Sequence, residues 1–422
     1  MSALHRLPAG IGSCFLGLLM LWPAASFAAC TVPFCVQFHI GLAAGQAEGA
    51  ATIRIRQSDG QLRGLDLDMP VSVFSDVEGD GRVTRRNGRL QWQVPPRGGE
   101  LRYRVQIDHR RGSGGYDAKV ADHWAIFRAD DLIPSAAARF RPGVRGYGEL
   151  RFDLPTGWSV FTPYRADAAG RMTLTGSNSR FPRPVGWVIA GQVGSRMDRI
   201  GGTEVRVAAP RGQPVPRLPM LALLRSSLPL IRARLSDLPD YLLVVAGGDP
   251  MWRGGLSAAN SLYLHADRPL ISENATSPLL HELFHVVAPV ATRPDQDWID
   301  EGLAEYLALR TLRDSDTISR ERFADSIETF RRRGHSVRNM RTRHSRGAVT
   351  ARAVAVFHDL DQEIQTASDR QADLYDVVRQ AMASKEPLDL NRLRQIAAGL
   401  NGGRVPSSLS GAAVPLLPEP GS

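Results

Sequence analysis

The feature that most restricts what this chain can fold into is the string H-E-L-F-H, which runs from His281 to His285. Residues four apart on an α-helix lie on the same face. Both imidazoles can therefore reach one zinc ion, and Glu282 can reach a water molecule beside it. Ser277 and Pro278 are typical of a helix N-terminus. The pattern predicts a buried helix that carries two metal ligands and a general base.

A second helix is predicted to carry the third ligand. A catalytic zinc usually takes three protein ligands, and His-His-Glu is one of the common sets. Glu301 follows His285 at the start of an amphipathic pattern, for which Asp297 is a plausible N-cap. Glu305 lies one turn further on the same face and is the candidate partner for the second ring nitrogen of a metal-bound histidine. The alternative is that Glu301 and Glu305 are solvated helix acids.

These residues carry a resemblance to a known family. His281-Glu282-x-x-His285, followed by Asp300-Glu301-Gly302-x-Ala304-Glu305, resembles the gluzincin metallopeptidases. The nearest match is the glycyl aminopeptidase family, with the zinc aminopeptidases behind it. Residues 254–261 resemble that family's G-G-L-E-H-R-x-S strand, and residues 345–349 resemble the start of its downstream helix. The similarity spans residues 240–380 and is strongest at the zinc motifs.

The resemblance implies an α+β chain in which a β-rich N-terminal domain precedes a mainly helical, thermolysin-like zinc peptidase domain. It also implies that Gly255 and Ser257 belong to a strand that binds substrate. The family has a glutamate where this chain has Ser257, and that acid helps to hold the free amino group of a substrate. Its replacement argues against strict aminopeptidase action.

A second departure concerns the oxyanion of the reaction. The family has tyrosines where this chain has Arg343 and His344. His344 is the candidate donor to the oxyanion, as an N–H group. The alternative is a surface histidine in an arginine-rich loop. Tyr306 and Tyr375 are weaker candidates for the same role.

The predicted activity is peptide-bond hydrolysis with Zn²⁺ held by His281, His285 and Glu301. Glu282 moves a proton from the attacking water to the leaving amine. The alternative is a catalytically inactive, peptidase-like binding protein of the cell envelope, which the missing strand glutamate and tyrosines favour. A retained Glu282 opposes it, since binding alone does not need a general base. Side-chain preference, endopeptidase or aminopeptidase mode, and oligomeric state stay open.

The N-terminus predicts export. Residues 1–28 resemble a signal peptide, with Arg6 before the apolar residues 11–22 and a small-x-small site at residues 26–28. The product is expected to be secreted or periplasmic, without a membrane span after cleavage. The alternatives are an uncleaved anchor and a lipid on Cys30. Removal of the signal leaves Cys30 and Cys35, which are predicted to form a local disulfide.

Three further segments follow the signal peptide. Residues 29–210 are predicted to form a β-sandwich-like domain, because alternating runs such as 51–56 and 101–107 are separated by turn residues. A proline-rich connection marks a boundary at residue 210, and residues 211–400 form the peptidase domain. Residues 401–422, rich in Gly, Ser and Pro, are predicted to be a disordered tail. Aromatic residues recur in the first domain and favour its core over a carbohydrate-binding surface: Trp92, Tyr103, Trp124, Phe127, Trp158, Phe161, Tyr164 and Trp187.

The net charge of +9 raises the question of an anionic partner. Nearly all the basic residues are arginine, with lysine only at positions 119 and 385. No nucleic-acid-binding motif accompanies the charge, and export argues against DNA, so a peptide or protein substrate is expected instead. An arginine-rich stretch at residues 330–346 favours a solvated face, with the capture of acidic substrates as the alternative.

Overall fold

The computed structural model describes residue 30, residues 32–174 and residues 180–416. The predicted signal peptide lies outside the described residues. The predicted disulfide between Cys30 and Cys35 is present. No helix in the described part of the chain combines the length and apolar character that crossing a bilayer requires.

The first domain is β-rich, as the alternating sequence pattern predicts, and its strands form three sheets. Its strands and one short helix, in chain order, are β1 (Phe34–Gly41), β2 (Glu48–Gln57), β3 (Leu62–Asp68), β4 (Phe74–Gly79), β5 (Arg82–Arg86), β6 (Arg89–Gln93), β7 (Gly98–Gln106), β8 (His109–Arg110), β9 (Tyr116–Val120), β10 (Trp124–Arg128), α1 (Ala129–Leu132), β11 (Ala136–Phe140), β12 (Gly146–Asp153), β13 (Ser159–Phe161), β14 (Met172–Thr173) and β15 (Trp187–Gly191). The sheet orders are β14-β12-β1-β2-β7-β4, β13-β15-β10-β9-β8 and β11-β3-β6-β5.

The strands form sheets because their side chains alternate between the core and solvent. In β2, Ile53 and Ile55 are buried while Arg54 and Arg56 point to the other face. Of the aromatic residues predicted to be core, five are buried and three are partly buried against the same cores: Trp92, Tyr103, Phe127, Tyr164 and Trp187, then Trp124, Trp158 and Phe161. The core prediction is confirmed.

The second domain combines one sheet with a set of helices. Its elements are β16 (Val193–Ile200), β17 (Thr203–Pro210), α2 (Arg217–Arg234), β18 (Tyr241–Gly247), β19 (Gly255–Ala258), β20 (Ser261–His265), α3 (Pro278–Val287), α4 (Trp298–Asp314), α5 (Arg320–Gly334), α6 (Ala348–Ala367), α7 (Leu374–Ala383), α8 (Leu390–Leu400) and a 3₁₀ turn, Ser407–Leu409. The sheet order is β16-β17-β18-β20-β19, with β17, β18 and β20 mutually parallel. The β-rich start and helical continuation predicted for the chain are confirmed.

The predicted boundary at residue 210 is misplaced. β16 and β17, which precede it, belong to the sheet of the second domain, because β17 pairs in parallel with β18. Val205 and Val207 lie in the same hydrophobic core as the helices. The alternating pattern predicts a strand but does not say which sheet the strand joins.

The predicted tail is also wrong over residues 401–416. Leu409 and Val414 are buried in the core of the second domain. Both the backbone N–H and the hydroxyl of Ser407 donate to the carboxylate of Glu363 on α6. These two apolar side chains and one carboxylate hold a segment whose composition resembles a linker. Residues 417–422 lie outside the described residues.

Candidate active site

Helix α3 places its functional residues on one face and its apolar residues on the other. Its first turn is capped as predicted, since the Ser277 hydroxyl accepts a hydrogen bond from the Leu280 N–H at 3.3 Å. His281, Glu282 and His285 line a cleft on the opposite side from the core. The buried face holds the helix in place through Leu279, Leu280, Leu283, Phe284 and Val287.

Helix α4 packs against α3 and brings Glu301 to the two histidines. The Nε2 atoms of His281 and His285 are 3.2 Å apart. Glu301 places one carboxylate oxygen 3.4 Å from His281 Nε2 and the other 3.7 Å from His285 Nε2. The structure therefore brings together the three predicted metal ligands, and their donor atoms all lie within 4.8 Å of one another.

The donor atoms fit a zinc ion. Tetrahedral zinc with bonds of about 2.0–2.1 Å sets its ligand atoms about 3.3 Å apart. The distances in this cluster are 3.2, 3.4 and 3.7 Å, close to that value. Two neutral imidazoles and one carboxylate are also a donor set that zinc prefers. The site can hold Zn²⁺ with only small movements of the side chains.

Carboxylates hold the second nitrogen of each histidine. Glu305 lies 2.8 Å from His281 Nδ1, as expected from its position one turn after Glu301. Asp300 lies 3.1 Å from His285 Nδ1, a role the sequence reasoning missed. Its place next to Glu301 in the same helical turn was the available signal. Such contacts fix the tautomer and orientation of a metal-binding imidazole.

The same carboxylates make the cluster favour positive charge. Burial lowers the pKa of His281, but Glu301 and Glu305 outweigh burial, so its pKa lies well above the ordinary value. Burial likewise lowers the pKa of His285, and Asp300 raises it to a net upward shift. Burial raises the pKa of Glu301, whereas His281 and His285 lower it more. A bound metal cation supplies the positive charge that these carboxylates stabilise.

Glu282 lies between the metal cluster and strand β19. Its carboxylate lies close to the backbone of Ser257. Burial raises the pKa of Glu282, while the two histidines oppose that rise. A β-carbon on Gly255 would lie 2.7 Å from Glu282 Cγ, so the strand approaches the glutamate as closely as a glycine allows. A raised pKa and a fixed position suit a group that accepts and returns a proton.

The cleft around this cluster has a volume of about 640 Å³. Gly255 and Ser257 line it, as the resemblance implied. The other lining residues, besides the two histidines and the acids, are Arg111, Trp252, Leu256, Arg268, Thr276, Pro278, Ser345 and Arg346. Arg111 and Trp252 lie in loops with no sequence signal for a site, and neither was predicted.

His344 is exposed and does not line the cleft. The Thr342 hydroxyl accepts from the His344 N–H at 3.2 Å and donates to the His344 carbonyl at 3.1 Å, which closes a turn that leaves His344 at the surface. Ser345 and Arg346 reach the cleft instead. The expectation that His344 donates to an oxyanion is not supported by this arrangement.

The two tyrosines considered as substitutes are also outside the cleft. Tyr306 is buried and donates to Asp361 at 2.6 Å, and Tyr375 is buried beside Thr311. Asp297 does not cap α4 with its side chain either. Its carboxylate accepts from the Ser345 N–H at 2.6 Å and so holds the loop that lines the cleft.

Comparisons with known proteins identify the fold. No protein-family model matches the sequence, and no curated protein matches it. An aminopeptidase N family protein from Idiomarina loihiensis superposes with a TM-score of 0.62 at 14% identity, over 82% of this chain and 70% of that chain. The M1 zinc metallopeptidase from Deinococcus radiodurans gives 0.60 at 17% identity, over 93% and 96% of the two chains. A mutant of that metallopeptidase was solved with a Tyr-Ser-Ala substrate. Yeast LTA4 hydrolase gives 0.54 at 12% identity, over 92% and 69%.

These similarities show that the chain has the fold of two-domain M1 zinc metallopeptidases, which are gluzincins. They agree with the resemblance drawn from the motifs at the level of the fold.

Proposed function

We propose that this chain is an exported, zinc-dependent peptidase. The observation that carries the proposal is the cluster of His281, His285 and Glu301, whose donor atoms lie at the spacing of a tetrahedral zinc site beside Glu282. The strand and loop motifs at residues 254–261 and 345–349 favour the glycyl aminopeptidase family within this fold. The fold shared with peptidases from other organisms supports hydrolysis of peptides.

Each residue of the site has a separate role in the proposed reaction. When bound, zinc supplies Lewis acidity to a water molecule and to the substrate carbonyl. Glu282 accepts the proton of the attacking water and returns it to the leaving amine. Asp300 and Glu305 keep both imidazoles oriented. Strand β19 is the edge of its sheet and lines the cleft, so its backbone can pair with an extended peptide.

Export is supported by features at the N-terminus. Residues 1–28 have the organisation of a signal peptide. The disulfide between Cys30 and Cys35 is of a kind that persists in oxidising compartments. A secreted or periplasmic location is therefore part of the proposal.

The test is zinc content together with hydrolysis of a mixed peptide pool. The purified protein is expected to hold about one zinc per chain and to cleave peptides in a chelator-sensitive way. His285→Ala and Glu301→Ala should lose both properties, whereas Glu282→Gln should keep zinc and lose hydrolysis. His335→Ala, an exposed histidine at the end of α5, is the matched control and should change neither.

Three outcomes would reject the assignment. Hydrolysis retained by Glu282→Gln would remove Glu282 from the reaction. Zinc without any hydrolysis in the parent protein would favour the alternative, an inactive peptidase-like binding protein of the cell envelope. Absence of zinc after reconstitution would contradict the ligand set.

A further inference from the structure

The carboxylates of the cleft are all engaged with other groups of the protein. Among the described residues that line it, Asp300 and Glu305 hold the two histidines, and Glu301 contacts both of them. Glu282 lies beside the histidines and against Gly255 of β19. No further acid lines the described cleft. A substrate with a free ammonium group therefore meets no carboxylate that is not already occupied.

Two positively charged side chains of the cleft, in contrast, have no such partner among the described residues. Arg268 and Arg346 are exposed and line the cleft. Their guanidinium groups make no hydrogen bond or ion pair with any residue that the structure describes. Each presents a planar fork of N–H donors, the geometry that binds a carboxylate through two parallel hydrogen bonds.

A third arginine comes from the other domain. Arg111 lies in the turn between β8 and β9, and its guanidinium stacks on the Trp252 ring at 4.2 Å. Two backbone hydrogen bonds fix this turn to the second domain: Tyr116 N–H donates to the Pro250 carbonyl at 3.0 Å, and Trp252 N–H donates to the Tyr116 carbonyl at 2.7 Å. Asp117 lies 3.5 Å from the same guanidinium. The first domain thus contributes a fixed guanidinium group, that of Arg111, to the cleft of the second domain.

We infer that the cleft binds a substrate that carries a carboxylate close to the scissile peptide bond, with Arg268 and Arg346 as its direct partners and Arg111 adding positive charge. This inference rests on the proposed peptidase function. The carboxylate can belong to an Asp or Glu side chain or to the C-terminus of a short peptide. Both sources offer the same planar anion to a guanidinium fork.

The experiment measures peptide binding without turnover. The zinc-loaded Glu282→Gln protein is titrated by calorimetry with a neutral pentapeptide that has a central Gln and is blocked at both ends. Three relatives of this peptide follow: one with a central Gln changed to Glu, one with a free C-terminus, and one with a free N-terminus. The Glu peptide or the free-C-terminus peptide is expected to bind at least about tenfold more tightly than the blocked neutral peptide. Which of the two binds more tightly identifies the source of the carboxylate.

Variants identify the residues responsible. Arg268→Gln and Arg346→Gln, each made in the Glu282→Gln protein, should reduce this advantage, because they weaken binding of the carboxylate peptide more than binding of the neutral peptide. Arg333→Gln, an exposed arginine on α5 outside the cleft, is the matched control. Raising the salt concentration should also weaken binding of the acidic peptide more than binding of the neutral peptide.

Equal affinity for neutral and acidic peptides would overturn the inference. The inference would also fail if the carboxylate peptides kept their advantage in both arginine variants. Tighter binding of the free-N-terminus peptide than of the carboxylate peptides would contradict it as well. Failure of the peptidase proposal shows separately, as absent hydrolysis by the parent protein of every peptide in the set. Selective, arginine-dependent binding of the carboxylate without hydrolysis would uphold a carboxylate-binding site and reject the peptidase.

Discussion

At the scale of single residues, the position of Glu282 depends on the absence of a side chain at Gly255. A β-carbon there would lie 2.7 Å from Glu282 Cγ and 2.8 Å from Oε1. The clashing atoms belong to the end of a flexible side chain, so the fold can absorb the change by moving Glu282. In the proposed peptidase reaction a displaced general base is costly, because an error of about 1 Å can reduce the rate about 100-fold.

Gly255→Ala is therefore expected to lower kcat by about tenfold or more while zinc content and thermal stability stay close to those of the parent. The measurements are steady-state kinetics, metal analysis and thermal unfolding. Gly248→Ala is the matched control, since a β-carbon there meets nothing closer than 3.8 Å. An unchanged kcat in Gly255→Ala would show that the close approach does not position Glu282.

At the scale of elements, α3 depends on its first turn. Ser277 is buried and caps the helix through the Leu280 N–H. Both histidines of the candidate metal site lie on this helix, and His281 N–H donates to the Ser277 carbonyl at 2.9 Å. A looser first turn is therefore expected to change the position of His281 directly. α5 has a similar cap at Ser319, which accepts from Arg322 N–H at 3.1 Å but lies away from the cleft.

Ser277→Ala and Ser319→Ala are each expected to lower the free energy of unfolding by about 1 kcal/mol, the usual cost of losing a serine cap. Only Ser277→Ala should also weaken zinc binding, because only its helix carries the histidines. Urea unfolding gives the first quantity, and competition with a zinc chelator gives the second. Equal zinc affinities in the two variants would show that the cap does not support the site.

At the scale of the whole molecule, a hydrophobic cluster joins the two domains. Ile126, Trp187 and Ile189 of the first domain pack with residues of the second-domain sheet. The Trp187 ring lies 5.2 Å from that of Tyr263, and its Nε1–H donates to the Leu256 carbonyl on β19 at 2.9 Å. The strand that lies against Glu282 is thus supported from behind by the first domain. Such a shared core predicts that both domains unfold together.

Trp187→Ala is expected to lower the free energy of unfolding by about 3–5 kcal/mol, as for other large buried aromatic residues. It should also split a single calorimetric transition into two and lower kcat, because β19 loses its support. Trp92→Ala, which removes a tryptophan buried within the first domain alone, is the control and should cost a similar free energy without lowering kcat. Two transitions already present in the parent protein would contradict a shared core.

The parts of the site that depend on local geometry could be predicted from the pattern of residues. The spacing of His281 and His285 places them on one helical face wherever that helix lies. Glu301 and Glu305 follow from the same periodicity on the next helix. The alternation of the first domain likewise predicts strands and their buried faces. These features depend on residues near one another in the chain, so the pattern of residue types predicts them.

Which distant segments meet could not be predicted from the pattern and became clear from the fold. Arg111 reaches the cleft because its hairpin pairs with residues 250–252, and His344 is excluded because Thr342 closes the turn around it. Strands β16 and β17 join the second sheet through β18, and residues 401–416 pack although their composition resembles a linker. Each outcome follows from long-range packing and hydrogen bonds, which local patterns of hydrophobicity do not specify.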